Sequence, residues 1–92
     1  MAFADLSADV APEYGLCVGT ATGEDLYRVG LFYSEGVECD QDLIAAHKWF
    51  NLAAMKGSEE AKICRAEIAD MLCREEIKSA LRAARDWLQL AN

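Results

Sequence analysis

The sequence predicts an all-α fold, two stacked antiparallel helical hairpins forming a short α-solenoid. Three observations predict it. Apolar residues recur at intervals of three and four through most of residues 22–92. There is one proline and no run of alternating β-branched residues. Helix-starting and helix-stopping residues punctuate the chain between the apolar stripes. Ninety-two residues make a single core. Sixteen residues are alanine, so that core is built from closely approaching helices rather than from a thick layer of large side chains.

Residues 1–21 read as an irregular N-terminal tail. Phe3, Leu6 and Val10 have helical spacing, Pro12 ends such a turn, and Gly15, Gly19 and Thr20–Thr22 read as loop. The helical domain is 22–92. Thr22 and Asp25 form a capping box for a first helix over 23–34, whose inward face is Leu26, Val29, Gly30 and Tyr33. Gly36 stops it, and Val37–Gln41 is a loop. A second helix over 42–56 turns Leu43, Ala46, Phe50, Ala53 and Ala54 inward, with Asp42 and Lys56 matched to the helix dipole. Gly57 ends this helix and Ser58 caps the third, which buries Ala61, Cys64, Ile68 and Met71 or Leu72. The chain turns near 72–74, where Cys73 stands in place of a good capping residue. The last helix carries Ile77, Leu81, Ala84, Leu88 and Ala91 on one face, and Arg74, Lys78, Arg82 and Arg85 on another.

An internal repeat links the two halves. Leu43, Ala45, Ala46, Trp49, Leu52 and Ala53 recur thirty-eight residues later as Leu81, Ala83, Ala84, Trp87, Leu90 and Ala91. Both tryptophans are expected in the core. A period in the high thirties with two helices per unit is the signature of a helical solenoid, with units 22–57 and 58–92, the second degenerate or capping. The set Gly30, Tyr33, Gly36, Ala46, Trp49, Ala53-Ala54, Gly57 and Ala61 resembles the Sel-1-like repeat family, relatives of tetratricopeptide repeats. The resemblance is good over 26–61 and weaker over 62–91. It implies a scaffold or adaptor that binds other proteins. The family loop has a second glycine two residues after Gly36 and then valine; here Glu38 and Cys39 stand there. A left-handed glutamate is strained, so this loop is expected to take another path.

Charge and chemistry narrow the function. The net charge is −7, with nine acids and one base in residues 1–42 against seven acids and eight bases in 43–92. A phosphate backbone is repelled by the first half, which argues against nucleic acid. The longest uncharged run after Glu13, Tyr14–Gly23, is too short to span a membrane. The N-terminus shows no signal-peptide pattern, so Cys17, Cys39, Cys64 and Cys73 are read as reduced thiols of a cytoplasmic protein. No CxxC pair accompanies His47, the single histidine, so no metal and no cofactor is expected. His47 reads as a surface or partly packed residue. The acids Glu35, Glu38, Asp40 and Asp42 lack the spacing of a calcium loop.

These features predict a non-catalytic adaptor for a protein or peptide partner. One alternative is the secreted, cysteine-rich branch of the family, β-lactam-binding and hydrolase-like, which staples each helix pair with a disulfide. Cys64 and Cys73, held on one helix, stand about 13 Å apart, beyond disulfide reach. Another is a fragment of a longer repeat scaffold. The candidate docking strip is Tyr27 and Leu31, roughly 100–140° round the first helix from Leu26, continued by Lys62 and Ala66 on the third. The competing account has residues 1–21 covering this strip. The basic stripe of the last helix, facing the acidic first half of another copy, predicts weak, salt-sensitive self-association.

Overall fold

The second helix lies at the centre of the chain and the others are laid around it. The structure, a computed structural model, describes residues 11–90. The expected turn at Phe3, Leu6 and Val10, and Ala91 of the last stripe, lie outside the described residues. A short 3-10 turn, Pro12–Gly15, is followed by α1 (Gly23–Glu35), α2 (Leu43–Met55), α3 (Glu59–Ala69) and α4 (Arg74–Leu88). The described residues are all-helical, with no strand.

The helix ends form where the capping residues place them. The Thr22 hydroxyl accepts from the Asp25 amide and the Asp25 carboxylate accepts from the Thr22 amide, both at 3.0 Å. Asp42 accepts from the Ala45 amide at 2.9 Å, and Ser58 from the Ala61 amide at 3.1 Å. Gly36 ends α1 in the left-handed region at φ 65°, and among the described residues no non-glycine has positive φ. Glu38 thus avoids the strain a left-handed residue would bring. The loop is fastened by the Gln41 side-chain amide, which donates to the Ser34 carbonyl at 2.9 Å. At α4 the missing capping side chain is offset from the other direction: Glu76 reaches back and accepts from the Cys73 amide at 2.9 Å.

Leu26 and Val29 of α1 share one buried cluster with Ala46, Phe50 and Ala53 of α2. Gly30 sets how closely the two helices approach, since a Cβ there would lie 2.5 Å from the Phe50 ring. This first hairpin matches its expected bounds within a residue.

The second pair does not close as a hairpin of its own. α3 and α4 each pack on α2 and share no extended face with one another. The cause is the narrow apolar stripe of α3. Its buried residues, Ala61 and Ile68, are both turned into the core around α2, and Ile63 on the other face stays 62% exposed. After the Asp70–Cys73 turn, α4 crosses α2 instead, where Trp87 meets Trp49 edge-on at 5.2 Å. Its buried stripe is Ala80, Ala84 and Trp87, turned about 60° from the expected one. That rotation leaves Leu81 39% exposed; of Met71 and Leu72 it is Leu72 that packs against the core, while Met71 is 63% exposed.

Part of the N-terminal tail belongs to the fold. Pro12 begins a 3-10 turn, as its fixed φ and missing N–H allow. The Tyr33 hydroxyl donates to the Glu13 carboxylate at 2.9 Å, and the Lys56 ammonium donates to the Val18 carbonyl at 2.8 Å. With Leu16 and Val18 packed against the core, residues 11–21 run antiparallel to α1 on its Tyr33 side.

Candidate partner-docking groove

Three α1 residues, Tyr27, Leu31 and Ser34, fall within about 60° of the helix circumference, on the side that looks towards α3. Tyr27 and Leu31 are half-buried and packed against the core. The Tyr27 ring sits 5.8 Å from that of Phe50. Burial pushes the Tyr27 phenol above its usual range, helped by the neighbouring Cys64 thiol and then by the Glu60 and Glu24 carboxylates. Cys64 therefore forms the opposite wall.

Towards the C-terminal end of α1 the groove deepens into a cavity of about 200 Å³. Leu43, Phe50 and Ile68 form its floor, and Ser34, Gln41, Glu67 and Met71 ring its mouth. α2 supplies the floor through Leu43 and Phe50; α1 and α3 supply walls because each has one apolar flank beside an acidic one.

The structure brings Tyr27, Leu31 and Cys64 together. It does not bring Lys62 and Ala66 to them. Both are exposed and stand about 160° round α3 from Cys64, with Lys62 bound to Glu59 at 3.0 Å. The groove side of α3 is Cys64 and Glu67 instead. The repeat itself held this signal: aligning Ala66 with Gly30 and Ala69 with Tyr33 sets Glu67 opposite Leu31. Residues 11–21 follow Tyr33, about 120° from Tyr27, so the described part of the tail leaves the groove open.

Cys39 and His47 sit in different surroundings. Cys39 lies against the Phe32 carbonyl at 3.8 Å, and burial followed by the Asp40 and Asp42 carboxylates pushes its thiol up, away from the reactive thiolate. His47 is not at the surface but 4% exposed, its Nδ1 buried without a partner. It points to the α2–α3 seam, where Arg65 donates to Asn51 at 2.7 Å. Burial, then the Arg65 charge, holds its imidazole below the usual range. The four cysteines are unpaired, and no group of three or more His, Cys, Asp or Glu gathers among the described residues. No helix among them is long and apolar enough to cross a membrane. No family model matches this chain, nor does any curated protein or solved structure.

Proposed function

We propose that this chain is a small non-catalytic adaptor of the Sel-1-like repeat type, which takes a protein or peptide partner into the α1–α3 groove. The observation that carries this reading is the groove's composition: an apolar floor, exposed apolar Met71 at the mouth, and a cavity of about 200 Å³. Small-molecule sites usually enclose about 300–1,000 Å³ around several convergent polar groups. A smaller, apolar cavity suits one anchoring side chain of a larger partner. The Gly30–Phe50 contact and the buried Trp49 support a repeat unit over 22–57. α4, laid over α2 and covering Trp49, then serves as a terminal cap. The setting we propose is the reducing cytoplasm, where the unpaired thiols persist.

The test is affinity capture from the native host with wild type and Met71→Gln in parallel, their folding matched by far-UV circular dichroism. A partner retained by wild type and lost with Met71→Gln supports the groove. Equal retention by both rules it out.

A further inference from the structure

We infer that the docking segment of the partner is a basic amphipathic helix, with a large apolar residue seated in the cavity and lysines or arginines along both flanks. The inference rests on the groove reading above and adds the chemistry of its occupant.

The flanks are acidic on both sides. On α1, Glu24 and Glu35 stand within about 40° of Leu31; on α3, Glu60 and Glu67 stand within about 60° of Cys64. All four are exposed. Glu24 and Glu60 lie close enough to Tyr27 to act on its phenol from opposite walls, and Glu67 stands at the cavity mouth. Glu24 is paired with Arg28 at 3.3 Å, an exposed pair worth little; Glu35, Glu60 and Glu67 have no ion-pair partner among the described residues, and Lys56 turns its ammonium to the Val18 carbonyl at 2.8 Å. Lys62 lies on the far side of α3. An apolar floor between two rows of carboxylates complements an apolar stripe between two rows of cations.

The walls also select a helix. An extended peptide gains its affinity from main-chain pairing with a free sheet edge, and both walls here are helices whose backbone groups are already bonded internally. A segment that satisfies its own backbone is what such a groove accepts. Glu24 to Glu35 spans about 16 Å, three helical turns, and Tyr27 to Ser34 about 10 Å. Two anchors seven residues apart therefore reach both the Tyr27 wall and the cavity.

The experiment is fluorescence anisotropy with a labelled helical peptide, leucines seven residues apart and lysines on both flanks. A second peptide carries glutamate at every lysine position. Both are titrated at about 50 mM and about 500 mM salt. The basic peptide is expected to bind and to weaken about tenfold at high salt. It should weaken by about the same factor with Glu60→Gln/Glu67→Gln, since exposed pairs each contribute up to a few-fold. Binding should also fall with Met71→Gln, a change at an exposed position that leaves the fold intact; the acidic peptide should not bind. Equal binding of both peptides, lost in Met71→Gln, would keep the groove and overturn the charge assignment. Basic-peptide binding indifferent to Met71→Gln would show diffuse attraction to an acidic chain and overturn the inference. Binding by neither peptide would remove the groove reading with it. The exposed face of α4 also offers Arg74, Lys78, Arg82 and Arg85 beside Leu81. Low-salt self-association in sedimentation, abolished by Glu60→Gln/Glu67→Gln, would make the occupant a second copy and overturn a separate partner.

Discussion

Gly30→Ala tests the packing that builds both the first hairpin and the groove floor. In a helix interior, glycine to alanine gains about 1 kcal/mol from backbone entropy. Here the new Cβ would sit 2.5 Å from two atoms of the Phe50 ring, and Phe50 is 1% exposed with little room to retreat. Forcing a methyl group into a packed core costs about 1–3 kcal/mol, so the net effect is a loss of up to about 2 kcal/mol. For a domain of this size, that lowers Tm by up to about 15 °C. Urea unfolding followed by far-UV circular dichroism measures it. The control is the same change in a Phe50→Leu background, where the clash is relieved and alanine should stabilise by about 1 kcal/mol. A Gly30→Ala single variant with a raised midpoint, or one unaffected by the background, would refute the close approach of α1 and α2.

Trp49→Ala and Trp87→Ala should each destabilise by about 3–5 kcal/mol. Their double-mutant cycle should return about 0.5–1.5 kcal/mol of coupling from the edge-on contact; no coupling in urea titrations would dislodge α4 from α2. His47, whose folded-state pKa is lowered by burial and then by the Arg65 charge, takes up its proton at lower pH in the fold than in the unfolded chain, where it titrates at about pH 6.5. Stability should therefore be fully present above that pH and decline as pH falls through the window beneath it. His47→Leu should flatten that slope in denaturant midpoints taken between about pH 5 and 7. Tyr27→Ala with Leu31→Ala should cost about 2–4 kcal/mol, because both side chains pack against the core; a wild-type melting curve would place them outside it.

The fold was legible where local chemistry decides it. Thr22–Asp25, Gly36, Asp42 and Ser58 each act on backbone groups within a few residues, so the helix bounds could be read in order. The inward faces of α1 and α2 followed from spacing alone, because both faces are wide. The orientation of α4 did not follow. Ile77, Leu81 and Leu88 make as good a stripe as Ala80, Ala84 and Trp87, and the choice falls to Trp87 because Trp49 offers it a partner from another helix. The burial of His47 was hidden for the same reason, since α3 covers it. Of the candidate site, Tyr27 and Leu31 were legible from their angle on α1. Lys62 and Ala66 were placed about 160° round α3 from Cys64; Glu67 stands one position after Ala66, and on a helix one position is about 100°.

The residues that make the groove receptive also hold it together, which separates two kinds of evidence. Phe50, Ile68 and Leu26 are core, so binding lost on truncating them would report folding as much as docking. The rim carboxylates do no packing. With Glu24 paired to Arg28, the three others along two facing helices, in a chain of net charge −7, repel one another and oppose the approach of α1 and α3. A domain of this length has about 5–14 kcal/mol of stability to set against that repulsion. A cationic segment in the groove would relieve the strain and add its own binding energy, about 2.7 kcal/mol at a hundredfold excess over Kd. Salt therefore acts with opposite signs on the two states. It screens the rim and stabilises the free chain, while it weakens the complex. A rim that mattered only for solubility would show the first effect without the second.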